Sequence, residues 1–343
     1  MFMFSGRFVR IAALVFGACC FSALWAGTST ALPFTHDSGE VGAKVAATGR
    51  VYPLSWPQNS PKYGPVTWPY YTQGMELLIG IEDEVGYYFE NPAVFTQDTS
   101  KTSIFTAPAG AAAQESIIYL KAKVKGYNLG IATHVLTYSS SSSNDKSTIE
   151  MVYTVINNST STIKKMYLGH YFDFQPSNVP AGFNEGSKDK FDVLTKDGSY
   201  LIAQNLPALE VYMGVRVNTG SPYAIAFHQY PNFLQMSSSQ KYKVMDTGGV
   251  TLASGAQNSD STIVVSQLYE GVKTGGSVKF GVAIMWAGNV DSLKQMSVAT
   301  YNRHASDASV GSSSVNDSGL TMKNGAPPQP PHPEGGGGCL LKP

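Results

Sequence analysis

Alternation with a period of two runs through the middle and the end of the chain. Ile117, Tyr119 and Lys121 alternate with Ile118, Leu120, Ala122 and Val124. Ile149, Met151, Tyr153 and Val155 alternate with Thr148, Glu150 and Thr154. Val278, Phe280, Val282, Ile284 and Trp286 alternate with Lys279 and small residues. Successive side chains of a strand point to opposite faces, so each run predicts a strand with one buried face. Further strands are predicted at Met75–Ile81, Val85–Phe89, Ile131–Tyr138, Ile163–Phe174, Leu209–Val217, Tyr223–Gln229 and Thr262–Glu270. Turn-forming clusters separate them, among them 139–145, Asn157–Ser161, Lys196-Asp197-Gly198, Asn218-Thr219-Gly220 and Thr274-Gly275-Gly276. Many strands punctuated in this way predict an all-β fold, a large antiparallel β-sandwich. One short C-terminal helix is predicted over Asp291–Arg303, where Asp291 can cap and Leu293, Met296, Thr300 and Tyr301 lie near one face.

Three stretches break the pattern. At the start, Arg7 and Arg10 precede the apolar run Ile11–Ala26, and Ser29 and Ala31 fit a small-x-small cleavage site. Residues 1–31 read as a signal peptide cut after Ala31, or else after Ala26. The run is short for a membrane span of about 20 residues. The expectation is therefore an exported chain (periplasm, cell surface or extracellular) with no membrane span once the signal is removed. Of the three cysteines, Cys19 and Cys20 leave with the signal and Cys339 remains, so no intramolecular disulfide can form. A core without such staples suits an exported bacterial protein.

The second break is the segment 49–71, where Pro53, Pro57, Pro61, Pro65 and Pro69 recur at every fourth position. That density predicts a long loop, since proline removes a backbone donor and is excluded from helix interiors and central strands. Trp56, Tyr63 and Trp68 lie between the prolines, and Tyr52, Tyr70 and Tyr71 flank them. Two readings fit: a flap whose rings plug one end of the sandwich, or a stacking platform for a sugar or a peptide. The third break is the tail, 323–343, with the stiff APPQPPHP spacer, four glycines and Cys339. A lone thiol behind a glycine run predicts attachment or processing at Cys339. The body then spans 32–322.

Composition narrows the partners. Residues are 43% hydrophobic and 14% charged, and the net charge is zero. A sizeable core is affordable, and no basic stripe marks a nucleic-acid surface.

Residues 148–175 read TIEMVYTVINNSTSTIKKMYLGHYFDFQ. They resemble a strand–turn–strand pattern of exported bacterial β-sandwich proteins of unassigned function. In those proteins "Y-x-V-x-N-x-S" is followed by "G-x-[FYW]-x-D-[FW]-D". Tyr153, Val155, Asn157 and Ser159 match the first part, and Gly169, Tyr171, Asp173 and Phe174 the second. The stretch VKFGVAIMWAGNVDSLKQMSVATYN looks like the same proteins' terminal strand and helix. The tail resembles a shortened Gly-run/Cys sorting tail of environmental bacteria. Related sandwich modules stand alone or accompany exported proteases. Gln175 departs from the pattern by replacing the last acid.

Candidate chemistry is thin. Glu82, Asp83, Glu84 and Glu150 read as solvated acids rather than as a glycosidase pair, and His170 as a structural histidine facing the sheet surface. Asp173, Asp189 and Asp192 are candidate ligands for a structural calcium, the one cofactor these acids suggest. No His-Glu-x-x-His or Gly-x-Ser-x-Gly motif occurs. The reading is an exported or cell-surface, non-catalytic binding or structural module that contacts a polysaccharide or another cell-surface component. One alternative is a carbohydrate-active enzyme on a β-sandwich; another is an accessory module of an exported protease or surface assembly. An acid or histidine pair in one groove would favour the enzyme, and a flat aromatic strip would favour binding.

Overall fold

A computed structural model describes residues 34–55, 75–87, 94–106, 113–139, 146–173, 177–178, 183–184, 190–194, 200–205, 211–219, 222–229, 231–253 and 261–306. In chain order, β1 (Phe34–Asp37), β2 (Gly42–Val45) and β3 (Val51–Ser55) come first. They precede β4 (Met75–Ile81), β5 (Glu84–Gly86), β6 (Phe95–Gln97) and β7 (Ile104–Thr106). The long strands β8 (Ala113–Val124), β9 (Tyr127–Tyr138), β10 (Thr148–Asn157) and β11 (Ile163–Asp173) follow. Shorter ones are β12 (Ser177–Asn178), β13 (Phe183–Asn184), β14 (Lys190–Leu194), β15 (Tyr200–Asn205), β16 (Val211–Val217) and β17 (Ala224–Gln229). Two helices, α1 (Asn232–Gln235) and α2 (Ser238–Asp246), lead into β18 (Gly249–Leu252), β19 (Ser261–Val272), β20 (Ser277–Ala287) and α3 (Val290–Ser306).

Two large sheets carry the fold. A nine-stranded sheet runs β14-β15-β16-β20-β10-β9-β8-β6, with β7 also on β8, and a six-stranded sheet runs β18-β17-β19-β11-β4-β5. All pairs are antiparallel except β17 with β18. The alternating residues of β8, β10 and β20 do what their period predicts. Ile118 and Leu120, Met151 and Tyr153, and Phe280 and Val282 meet Met166, Leu168, Phe172 and Ile263 in one hydrophobic core. The fold is thus the expected all-β sandwich.

Helices cover the outside of each sheet. α1 and α2 lie on the six-stranded sheet: Tyr171 stacks on Phe233, and Met245 is buried at Gly169. Covering both faces explains why all seven residues of β4 are buried, the single acid Glu76 included. α3 lies on the nine-stranded sheet, where Leu293 and Met296 pack on Met285 and Ala287. It begins one residue before the predicted Asp291 and ends three past Arg303.

Three expectations are corrected. The segment 49–71 does not begin as a loop: β3 pairs with β2 and contains Tyr52 and Pro53. It is an edge strand of a three-stranded sheet, and an edge tolerates the missing N–H of proline. His170 does not face a surface. It is fully buried between the sheets, because the even positions of β11 face β10. Glu150 is not solvated either, since it lies under α3.

The chain passes between the two large sheets several times, and two of these crossings, β10 to β11 and β19 to β20, lie side by side. Asn157 ties the two crossings together. Its Nδ2 donates to Ser161 O (2.8 Å) and Val272 O (2.9 Å), and its Oδ1 accepts from Ser159 N (3.0 Å). Ser159 Oγ in turn accepts from Asn128 N at 2.7 Å. The Asn and Ser of the sequence pattern therefore serve the crossing.

Candidate functional site

The richest cluster of chemistry-bearing side chains sits on the outer face of the nine-stranded sheet. Residues directly opposite each other in a ladder share a face. The register aligns Glu115 with Leu136, Leu136 with Glu150, Glu150 with Ala283, and Ala283 with Arg216. His134 and Tyr138 flank Leu136 on the same face of β9. Glu115 and Glu150 therefore stand two strands apart, their backbones about 10 Å apart at ~4.8 Å per strand.

Each acid is held by a partner. Glu115 Oε1 lies 2.7 Å from His134 Nδ1, with side chains 14% and 7% exposed. Among the described residues no hydrogen bond to His134 Nε2 is seen, and the ring is buried apart from a small exposed fraction. Glu150, fully buried, accepts from Arg303 Nη2 (2.8 Å) and Nε (3.1 Å) and from the Tyr138 hydroxyl (2.7 Å). The Arg303 guanidinium lies 4.3 Å from the Tyr138 ring centre, a cation–π contact. Arg216 reaches the other way, from β16 to α3: its Nη1 donates to Ser297 Oγ (3.0 Å) and its guanidinium lies 4.5 Å from the Tyr301 ring centre. Two arginines, one from the sheet and one from the helix, thus bolt α3 over half of this face.

A second polar cluster lies inside the sandwich. The β2–β3 turn inserts Thr48, Gly49 and Arg50 toward β4 and β9, around a cavity of about 20 Å³ also lined by Glu76, Thr133 and Tyr153. The volume suits about one water and excludes a sugar. Arg50 Nη2 lies 3.2 Å from Glu76 Oε1, both side chains buried. Nearby, His170 Nδ1 faces the Tyr171 carbonyl at 3.0 Å and so carries the proton; Nε2 then accepts from the Tyr153 hydroxyl, also at 3.0 Å. Burial lowers the His170 pKa to about 3. His36, between Ser116 Oγ (2.6 Å) and Thr137 Oγ1 (3.1 Å), is lowered to about 4 for the same reason.

The expected site residues fall as follows. Tyr52 is on β3, and its side chain lies outside the description. Trp56, Tyr63, Trp68, Tyr70, Tyr71, Asp189 and Cys339 lie outside the described residues. Asp173 ends β11 in the six-stranded sheet, whereas Asp192 is on β14 at the edge of the nine-stranded one. Among the described residues no group of three His, Cys, Asp or Glu could hold a metal, and no helix is long and apolar enough to cross a membrane. Of the acids, Glu82 and Asp83 form the β4–β5 turn and Glu84 begins β5. Glu82 and Asp83 have φ of 45° and 72°, and Lys125 Nζ holds Asp83 at 2.8 Å.

Sequence reasoning missed Glu115 with His134. The signal was Lys125-Gly126, a two-residue turn with φ of 49° and 81° that fixes the β8–β9 register. Counting back from it puts His134 opposite Ile117 and diagonal to Glu115.

No protein-family model matches this chain, and no curated protein matches it. Some solved structures are similar to this chain at a low level. A polysaccharide lyase has 10% identity and a TM-score of 0.35, over 79% of this chain and 35% of its own. A galactose mutarotase related enzyme from Lactobacillus acidophilus has 9% identity and a TM-score of 0.35, over 76% of this chain and 99% of its own. A bacterial glucoamylase complexed with acarbose has 10% identity and a TM-score of 0.36, over 80% of this chain and 36% of its own. The chain spans about a third of the length of the lyase and of the glucoamylase. At these scores the likenesses say nothing about this chain's ligand.

Proposed function

We propose that this protein is an exported, carbohydrate-contacting module whose contact face is the outer row of the nine-stranded sheet around Glu115, His134, Tyr138 and Arg303. The observation that carries this reading is the pairing within the row. Glu115 is met by His134, and beside them the Arg303 guanidinium, paired with the buried Glu150, reaches the surface, so the face offers fixed polar groups without a large net charge. A neutral polyol matches such a face: its hydroxyls exchange hydrogen bonds with carboxylate, imidazole and guanidinium. A polyanion would need unpaired cations, and the chain has no net charge to attract one. The same proposal extends to Trp56 and Trp68.

One observation favours a second reading, a carbohydrate-active enzyme. A histidine whose Nδ1 is held by a carboxylate and whose Nε2 meets no internal partner among the described residues can exchange a proton with a bound hydroxyl. Retention of the chain on a panel of insoluble polysaccharides, with the same tubes assayed for released or altered sugar, tests both. Retention without chemical change supports the module. Chemical change lost in His134→Ala supports the enzyme. Neither retention nor change in any tube removes both.

A further inference from the structure

The opposite side of the molecule carries a cluster that the outer row does not use. Tyr167 points outward from β11, on the face that α2 covers. Tyr223 approaches it from the β19 side, with ring centres 5.5 Å apart at 49°. Tyr242, from α2, approaches from the β4 side at 5.4 Å and 83°, edge toward face. Gly80 makes room for it, since a Cβ there would stand 3.2 Å from Tyr242 Cδ2. Tyr167 is buried as the floor, while Tyr223 and Tyr242 are half-buried walls. Asp246, in the last turn of α2, closes the fourth side, and its Oδ1 accepts from the Tyr167 hydroxyl.

A cation already stands over the floor of this box. Lys165 Nζ stands 5.1 Å from the Tyr167 ring centre and 2.7 Å from Asp246 Oδ1. Both side chains remain open to solvent, 38% and 35% exposed. The hydrogen bond to Asp246 raises the pKa of Lys165. Tyr242 is raised by burial first, and then by the negative field of Asp246 together with that of Asp83 and Glu82. Three rings and a carboxylate in a negative field make an arrangement that attracts a positive charge. An exposed Lys–Asp pair contributes little to stability, so three tyrosines are more than Lys165 alone requires.

We propose that Tyr167, Tyr223, Tyr242 and Asp246 form a cage for an alkylammonium ligand, with the Lys165 ammonium as its built-in occupant and competitor. A methylated ammonium is less strongly hydrated than the lysine head and presents more surface to the rings, so it gains more from the same walls. Lys165, tethered next to the cage, competes at high effective concentration. Entry of a ligand needs only a rotamer change in this half-exposed side chain.

The test uses tetramethylammonium chloride, titrated into the full chain and followed by tyrosine ring NMR shifts, with sodium chloride as the ionic-strength control. Lys165→Ala is expected to bind tetramethylammonium at least tenfold more tightly than the wild-type chain. Adding Tyr242→Phe keeps the ring and is expected to keep that gain. Adding Tyr242→Leu, or Asp246→Asn (which retains an acceptor for Tyr167), is expected to abolish it. A Lys165→Ala chain that unfolds at the wild-type urea midpoint but binds no more tightly than wild type overturns the proposal. So does binding that survives Tyr242→Leu. Sugar retention through the opposite face is independent of either outcome.

Discussion

Tyr153 on β10 donates its hydroxyl to His170 Nε2 on β11, 3.0 Å away, and so joins the two sheets at the centre of the core. Tyr153 opens the first half of the motif in residues 148–175, and His170 directly follows Gly169, which opens the second. Tyr153→Phe leaves the imidazole nitrogen buried without its donor. The expected loss is about 1–3 kcal/mol, the cost of a buried unsatisfied group. Urea unfolding with an unchanged m-value checks it; a midpoint equal to wild type would show that the bond contributes nothing.

Acid should weaken the fold before the carboxylates titrate. His36 and His170 are neutral in the folded chain, with pKa values lowered to about 4 and about 3, while in the unfolded chain both titrate near 6.5. Below about pH 6.5 the unfolded state therefore binds more protons than the folded one, and stability falls as pH drops toward 4. Burial lowers the His228 pKa too, adding in the same direction. Unfolding midpoints between pH 7 and 4 should decline with a slope of more than one proton, and His170→Phe should flatten that slope. A flat profile in the wild-type chain would contradict the burial of these rings.

Gly169 is required by contact rather than by conformation. A Cβ there would stand 2.6 Å from the Val265 carbonyl oxygen and 2.9 Å from Met245 Cε. Gly169→Ala must push β19 or α2 away, and should cost about 1–3 kcal/mol or more, as overpacked cores do. Gly275, with φ of 74° and nothing within 4 Å of its would-be Cβ, is the control. Gly275→Ala should cost only the backbone term of about 1 kcal/mol. Thermal unfolding of the two variants separates the effects, and equal losses would argue against the close approach at Gly169.

Arg303 secures α3 through a charge that cannot be left alone. Arg303→Met takes the cationic partner from the buried Glu150 carboxylate, leaving it the Tyr138 hydroxyl, and should cost about 3 kcal/mol. Replacing both partners, Arg303→Met with Glu150→Leu, should recover most of that loss, because the isolated charge is gone. A double-mutant cycle by urea unfolding reads the difference directly. If the double variant is no more stable than Arg303→Met, the pair does not hold the helix.

Long strands were legible in the sequence because one face meets the core and the period of two survives. Met75–Ile81 has the predicted ends. The sheet β1–β3 was not legible, since Pro53 argues against a strand and only its edge position excuses it. α2 carried a readable signal that the polar run 237–240 disguised as a turn. Ser237 Oγ accepts from Gln240 N at 3.3 Å while the Gln240 side chain caps Ser237 N at 2.8 Å, a capping box. The outer row was only half legible. Glu115 and His134 follow from the Lys125-Gly126 turn, but Arg303 meets Glu150 across 153 residues. That meeting depends on how α3 docks, which no local pattern encodes.

The most direct test of the contact face is the affinity of the wild-type chain and of Glu115→Gln with His134→Ala for whichever polysaccharide retains the protein. Binding at least tenfold weaker in the double variant, with an unchanged urea midpoint, is the predicted result. Equal affinity in the two chains, or no retention of the wild-type chain on any polysaccharide, would contradict the assignment of that face.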